Sequence, residues 1–272
     1  MARKMKCVLT IAGSDSGAGA GIQSDLKTFH NHCVYGLTVI TAITAQNAMG
    51  VQKSFELPVN IIEAQLKSVF DDFKIDVIKI GMLSSEKVVH TVVKYLKQYS
   101  SSKKGGKGGC KIVLDPVILS KNKYALLENE GILLLKKKLL PLTYLVTPNL
   151  YEAEKLSGIK IRVYNDVITS AEIIHSFGCR NVLVKGGHFS GKMGMEQGTD
   201  ILYDGKDFTQ FGSEIIKTKN THGIGCTLSS AIAANLANNK NLNDSIISSK
   251  AYILKLLSNE IKIGKGTGPV EK

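Results

Sequence analysis

Residues 218–230 read Thr-Lys-Asn-Thr-His-Gly-Ile-Gly-Cys-Thr-Leu-Ser-Ser. Gly223-Ile224-Gly225 is a tight turn running into a helix-compatible segment, and Cys226 sits at the junction. Small residues let a backbone close around an anion. The first-turn N–H groups of a helix point at that anion, and the macrodipole favours negative charge there. A thiol at such an end has a reason to ionise. The segment is therefore suited to phosphate chemistry, with an activated thiol at Cys226.

Other polar groups close apolar runs. In Lys111-Ile-Val-Leu-Asp115-Pro116 a carboxylate ends a buried strand just before a proline, where it could hold Mg²⁺. In Thr147-Pro-Asn149-Leu-Tyr-Glu152, Asn149 and Glu152 share one face of a helix start, a spacing that also suits a capping box. Val182-Leu-Val-Lys185 ends a further strand with a lysine that could meet phosphate, or with an ordinary turn at Gly186-Gly187-His188. The run Gly13-Ser-Asp-Ser-Gly-Ala-Gly-Ala-Gly21 has neither the dinucleotide-binding spacing nor a Walker A lysine. It reads as a flexible turn or as a close backbone approach to a small ligand. Carboxylates for a metal, a lysine, backbone N–H groups and a base are together the components of phosphoryl transfer.

The elements that must position these groups alternate. Short β-branched runs predict strands at 7–12, 37–44, 77–80, 111–115, 144–147, 181–185 and 199–203. Helical patterns cover 21–31, 59–71, 85–98, 124–138, 150–157, 166–175, 226–237 and 242–261. Ile62, Leu66, Val69 and Phe73 show the helical period in the second of these. Alternation of this kind implies an α/β fold whose mostly parallel sheet is covered on both faces, with its site at the carboxyl ends of the strands. The low-complexity stretch 100–109, Ser-Ser-Ser-Lys-Lys-Gly-Gly-Lys-Gly-Gly, reads as a flexible insertion. The pattern resumes at Lys111, so residues 1–272 are expected to form one domain.

Composition limits the alternatives. Of 272 residues, 43% are hydrophobic and 21% charged, as in a globular protein. The five scattered cysteines have no zinc spacing, and their odd number argues against a disulfide framework. A reducing compartment, the cytoplasm, is expected. The apolar run 7–12 after the basic start is too short for a signal core or a membrane span. The net charge of +12 reads as a lysine-rich surface, because no aromatic residues interleave the densest basic run at 103–107. Neither nucleic acid nor membrane is expected as a partner.

Several blocks carry a resemblance over nearly the whole chain. They are Leu9-Thr-Ile-Ala-Gly-Ser-Asp-Ser-Gly-Ala-Gly-Ala-Gly-Ile-Gln-Ser-Asp-Leu-Lys-Thr-Phe29, Val39-Ile-Thr-Ala-Ile-Thr-Ala-Gln-Asn47, Lys79-Ile-Gly-Met-Leu83, Asp115-Pro-Val117, Thr147-Pro-Asn-Leu-Tyr-Glu-Ala-Glu154, Asn220-Thr-His-Gly-Ile-Gly-Cys-Thr-Leu-Ser-Ser-Ala-Ile232 and Gly266-Thr-Gly-Pro-Val270. The chain resembles the hydroxymethylpyrimidine/phosphomethylpyrimidine kinases of thiamine biosynthesis, within the ribokinase-like superfamily.

The resemblance implies a three-layer αβα sandwich with a central, mostly parallel sheet. It implies ATP as phosphate donor with Mg²⁺, phosphorylation of 4-amino-5-hydroxymethyl-2-methylpyrimidine and then of its monophosphate, and pairing into a homodimer. Carried over by position, Gln46 would bond the pyrimidine's ring nitrogen and amino group, since a carboxamide both donates and accepts. Gly13, Asp25, Gly81 and Met82 would line the same pocket. Asp115 and Glu152 would hold Mg²⁺, while Lys185, Asn149, Asn220 and Thr221 would meet ATP. Gly223, Ile224 and Gly225 would form the anion hole, with Cys226 as base. Three departures stand out: Gly17-Ala18 replaces Ser-Gly, Ile224 replaces threonine, and Ser120 stands where relatives that also phosphorylate pyridoxal carry a second cysteine. A pyridoxal or pyridoxine kinase is the alternative enzyme, and a binding protein without catalysis is the alternative outside enzymes.

Overall fold

In the computed structural model, residues 5–101, 110–120, 122–186, 198–259 and 261–270 are described. The chain runs β1 (Cys7–Asp15), α1 (Gly21–Asn31), β2 (Tyr35–Asn47), β3 (Gly50–Glu56), α2 (Val59–Asp72), β4 (Val77–Ile80), α3 (Glu86–Ser101), β5 (Lys111–Leu114) and α4 (Asn129–Leu134). It continues through β6 (Leu145–Val146), α5 (Leu150–Ser157), α6 (Tyr164–Ser176), β7 (Val182–Val184), β8 (Asp200–Tyr203), β9 (Phe208–Phe211), α7 (Ile224–Ala237) and α8 (Leu242–Ser258). The strands form one sheet in the order β3-β2-β1-β4-β5-β6-β7-β8-β9. β2, β1, β4, β5, β6 and β7 are mutually parallel; β3 closes one edge antiparallel, and the β8–β9 hairpin closes the other.

Two cores follow from the period-two alternation of side chains in a strand. Leu9, Ile11, Ile78, Ile80, Ile112, Leu114, Val146, Val182 and Val184 face α2 to α6. Their neighbours Val8, Val77, Val113, Leu145 and Leu183 face α1, α7 and α8. Both faces of the central strands are thus apolar, and the result is a three-layer αβα sandwich.

One position breaks the apolar rule. Lys79 lies on the α1/α7 face of β4, and its Nζ is 3.0 and 2.8 Å from the two carboxylate oxygens of Asp25 on α1. Neither side chain has any exposed surface. Asp25 also accepts from Thr10 Oγ1 on β1 at 2.6 Å and from Ser230 Oγ on α7 at 2.7 Å. Burial alone would lower the Lys79 pKa, but Asp25, with Cys226 and Asp115, holds it above the ordinary amine value.

Departures from the sequence reading are local. β3 and β9 carry no assignment there. Both are edge strands, paired on one side only, and both expose polar residues such as Gln52, Lys53, Thr209 and Gln210. The single helix expected over 124–138 starts only at Asn129. Before it, the chain doubles back, with Leu126 N donating to Ile118 O and Ser120 N to Tyr124 O. Beyond α4 it tightens through a π turn, Leu135–Leu139, and a 3₁₀ turn, Leu140–Leu142, that contains Pro141. α8 stops at Ser258 instead of reaching Ile261, because Asn259 is extended. Most of the 100–109 stretch, residues 102–109, lies outside the described residues. No helix among the described residues is long and apolar enough to cross a membrane.

Removing one partner of a fully buried ion pair leaves an uncompensated charge, which typically costs about 3–5 kcal/mol. Asp25→Ala should lower the unfolding free energy by that order in denaturant titrations, and the double change Asp25→Leu with Lys79→Met should restore much of the loss. A single variant as stable as the wild type would remove the pair from the list of stabilising contacts.

Candidate active site

The parallel strands end on one rim. β1 ends in Asp15, whose carboxylate accepts from Gly17 N at 2.8 Å, Gly19 N at 3.1 Å and Ala20 N at 2.8 Å. These bonds curl the glycine run around the carboxylate and deliver the chain to α1. The turn before α7 packs directly onto that curl. Gly223 has φ +82°, and a Cβ there would lie 1.8 Å from Gly19 O. A Cβ on Gly19 would in turn meet the His222 ring at 2.2 Å. At Gly223 backbone lies on backbone, and at Gly19 the backbone lies against the His222 ring and Pro269, so neither position admits a side chain without displacing its neighbour.

Gly223 is the N-cap of α7, and Ile224, Gly225 and Cys226 form the first turn. First-turn N–H groups have no carbonyl within their own helix. The open side of Gly225 faces Asp115 and Lys185: a Cβ there would be 3.5 Å from both Asp115 Oδ2 and Lys185 Nζ.

Lys185, just past β7, places Nζ 2.7 Å from Asp115 Oδ1 and 3.9 Å from Glu152 Oε2. Asn149 and Glu152 do form a reciprocal capping box on α5: Asn149 Oδ1 accepts from Glu152 N at 2.9 Å, and Glu152 Oε2 accepts from Asn149 N at 2.8 Å. The box fixes Glu152 beside Lys185, so capping and a site role are served by the same geometry. Burial raises the Glu152 pKa, Lys185 opposes that, and the Asp115 charge adds to it. Burial works against the Lys185 ammonium, but Asp115 and Glu152 hold its pKa above the ordinary value. Two clustered carboxylates offer hard oxygen ligands suited to Mg²⁺. Among the described residues no group of three or more His, Cys, Asp or Glu could cage a metal. The donor set therefore fits an ion that brings phosphate oxygens and water with it. Gly187 and His188 lie outside the described residues.

Cys226 is partly exposed. Burial among protein atoms pushes its thiol pKa above the ordinary value. Lys79 pulls it down, while Asp25 and Asp115 push it further up. Burial and the two carboxylates thus act against the thiolate that the helix terminus was expected to favour.

On the far side of the rim, Gly13 and Met82 are in close register, with a Cβ on Gly13 falling 2.9 Å from Met82 Sδ. Gly81 joins them through its N–H, which donates to Ile11 O at 2.9 Å. Asp25 is not part of this lining. Its carboxylate is sealed beneath the rim by Lys79, Thr10 and Ser230, which corrects its expected place in the pocket wall. Gln46, at the end of β2, lines a small cavity with Ala48, Ser120, Asn122, His222 and Thr267. Asn220 is buried. Its Nδ2 donates to Ile261 O at 2.7 Å, and its Oδ1 fills the space over Gly268, so it clamps residues 261–268 to the site. Thr221 follows it at the rim.

Three residues escaped the sequence reading: Asp15, Lys79 and His222. Asp15 and His222 meet at 2.9 Å although 207 positions apart, a contact no local pattern signals.

The sequence profile of the phosphomethylpyrimidine kinase family matches residues 15–271. The chain is 41% identical over 258 residues to the hydroxymethylpyrimidine/phosphomethylpyrimidine kinase of Aquifex aeolicus, covering 95% of this chain and 96% of that one. It is 42% identical over 263 residues to a thiamine biosynthesis bifunctional protein of Geobacter sulfurreducens; that match takes in 97% of this chain but spans about half, 51%, of the relative. Pyridoxal kinase of Staphylococcus aureus, solved in complex with AMP-PCP and pyridoxal, superimposes with a TM-score of 0.85 at 34% identity, over 99% of this chain and 94% of that one.

The two glycines of the α7 turn should behave oppositely. Gly223→Ala places a side chain at positive φ, which costs about 1–2 kcal/mol for the backbone alone, and adds a clash with Gly19 O. It should lower the melting temperature markedly. Gly225→Ala lies in a helical turn with room for a Cβ, and a helix favours alanine over glycine by about 1 kcal/mol. It should melt no lower than the wild type, yet raise the KM for ATP, because the methyl group occupies the space facing Asp115 and Lys185. Calorimetry and steady-state kinetics on the two variants check this.

Proposed function

The chain belongs to the phosphomethylpyrimidine kinase family, and on that premise we propose that it phosphorylates 4-amino-5-hydroxymethyl-2-methylpyrimidine, and then the monophosphate, with ATP in thiamine biosynthesis. The observation that carries this reading is the convergence of Asp115, Lys185 and the first turn of α7 around Gly225, where a Cβ would lie 3.5 Å from each charged group. The whole of residues 1–272 is taken as one kinase domain. Its setting is the cytoplasm, in keeping with five free cysteines.

In this reading the γ-phosphate rests against the N–H groups of Ile224, Gly225 and Cys226, which meet charge as it develops on the transferring group. Lys185 neutralises a phosphate oxygen, and Asn149 and Thr221 lie along the nucleotide, with Asn220 holding the adjoining chain. Asp115 and Glu152 would hold Mg²⁺, which supplies positive charge at the phosphate oxygens. Gln46 reads the pyrimidine edge, while Gly13, Gly81 and Met82 give the ring a flat wall. The substrate hydroxyl transfers its proton to the Cys226 thiolate. Its oxygen bonds to the γ-phosphorus, the bond to the bridging oxygen breaks, and ADP leaves.

The solved pyridoxal kinase of S. aureus at 34% identity keeps pyridoxal in view as a second substrate. Ser120, at the cavity beside Gln46, disfavours it, because this chain has no second cysteine there. Comparing kcat/KM for the pyrimidine, its monophosphate and pyridoxal in a coupled ATPase assay decides between them. In the same assay Cys226→Ala should lower kcat by about 10²–10⁴ while leaving the KM for ATP unchanged. The thiol pKa is raised, so the thiolate is the minor form at neutral pH. Wild-type kcat/KM should therefore climb with pH through neutrality and show no thiol plateau below the ordinary cysteine pKa. A flat profile together with an active alanine variant would take the base role from the sulfur and leave it to the backbone.

The finer assignment of a homodimer rests on β2 and β3. Ile43 and Phe55, paired across these strands, are 48% and 61% exposed, and Met49 at the hairpin tip is 61% exposed. Light scattering should give about twice 29.4 kDa, and Phe55→Glu should return it to that mass.

A further inference from the structure

Three side chains from distant parts of the chain meet beside the Gln46 cavity. His222 Nε2 lies 2.9 Å from Asp15 Oδ2 and 3.1 Å from Gln46 Nε2. On the other side of the same carboxamide, Thr44 Oγ1 lies 3.1 Å from Gln46 Oε1 and 3.0 Å from Ser14 O.

Donor and acceptor counts restrict this cluster. An imidazole nitrogen cannot accept from an amide N–H and donate to a carboxylate at the same time. A hydroxyl has one proton and cannot serve both Ser14 O and the Gln46 oxygen. Asp15 is an acceptor on every side, since it already takes the N–H groups of Gly17, Gly19 and Ala20. Oxygen and nitrogen of a side-chain amide are distinguished by such networks and not by shape. One arrangement satisfies all the groups together. His222 Nε2–H points at Asp15 with the Gln46 amide oxygen as its second acceptor. The Gln46 NH₂ donates to Thr44 Oγ1, and the Thr44 hydroxyl donates to Ser14 O.

A carboxamide offers two N–H donors and two lone pairs. This network takes one of each, leaving one N–H and one lone pair for the cavity. We infer that His222, braced by Asp15, locks the Gln46 carboxamide in this orientation, making His222 and Asp15 positioning residues that select a ring edge with an acceptor nitrogen next to an amino donor. The inference rests on the pyrimidine reading above and extends it to two residues with no assigned role. It also explains why the Asp15 curl, the β2 end and the α7 turn are packed so closely: the selectivity of one end of the substrate and the anion turn at the other share His222 and its neighbour Gly223.

The test compares wild type, His222→Phe and His222→Gln. His222→Phe keeps a ring against Gly19 but removes the donor. Asp15 retains its three backbone bonds, so the curl should hold. Expected is a loss of about 10–100-fold in kcat/KM for the pyrimidine, the scale of one or two misplaced hydrogen bonds. The loss should lie mainly in the KM for that substrate, with ATP KM and melting temperature unchanged and a smaller preference for the pyrimidine over pyridoxal. His222→Gln, which returns an N–H near the Nε2 position, should recover part of the preference. Nitrogen NMR of the wild-type, ligand-free protein should show the His222 ring protonated at Nε2. Unchanged selectivity in the phenylalanine variant, or a ring with bare Nε2, overturns the inference while leaving the kinase reading intact. A wild type that phosphorylates pyridoxal but not the pyrimidine overturns the pyrimidine reading and the selection role with it; the NMR result then still decides the amide arrangement. If the phenylalanine variant does not fold, the glutamine variant and the wild-type spectrum decide.

Discussion

Four elements of this molecule, β1, α1, β4 and α7, are tied at one point by the Lys79–Asp25 pair and the two hydroxyls that complete it. Dispersion between aliphatic side chains tolerates small slides, because many positions give nearly the same contact energy. A doubly bonded, fully desolvated ion pair does not, because any slide exposes a charge to a medium that cannot solvate it. The anion turn sits on α7, one helical turn before Ser230. The Asp15 curl sits at the end of β1, and the Gly81–Met82 wall continues β4. All three are therefore referenced to the same fixed point, which has no contact with solvent.

Above that point the geometry is set by what is missing. Gly19 and Gly223 let two turns touch through their backbones, and a side chain on either would separate the β1 curl from the N-terminus of α7. Asp15 stabilises the curl by accepting three N–H groups and then presents its remaining capacity to His222. A carboxylate that shapes a loop and orients a neighbouring ring does both with the same two oxygens. The capping box at Asn149 and Glu152 follows the same economy: the contact that starts α5 also holds a carboxylate within 3.9 Å of Lys185. Local folding motifs and site chemistry are not separate layers here.

The legible part of the sequence was what repeats or ends abruptly. Alternating periods revealed the parallel strands and most helices, and polar residues after apolar runs marked Asp115, Asn149, Glu152 and Lys185. The illegible part depends on pairing across the fold. Edge strands β3 and β9 lack the apolar run of a central strand, because only one of their sides is paired within the sheet. Asp25 sits on a helix with ordinary polar neighbours, and only the partner that β4 brings from 54 positions away shows it to be a buried structural charge. Asn220 stood inside a recognisable motif, yet its carboxamide is turned toward Ile261 and Gly268, which a linear reading could not foresee.

The thiol of Cys226 shows how far a local rule carries. A helix N-terminus favours the anion by a few tenths to about 1 kcal/mol at an exposed position, and Lys79 nearby acts in the same direction. Against these stand desolvation and two carboxylates, Asp25 and Asp115, which together prevail. Asp25 and Asp115 are also what keep Lys79 charged in the interior, and Asp115 with Glu152 does the same for Lys185. A site that gathers lysines for phosphate must gather carboxylates to keep them buried, and those carboxylates disfavour a thiolate between them. Neutralising Asp115, by a cation arriving with the nucleotide, is the change that would remove one of the opposing charges.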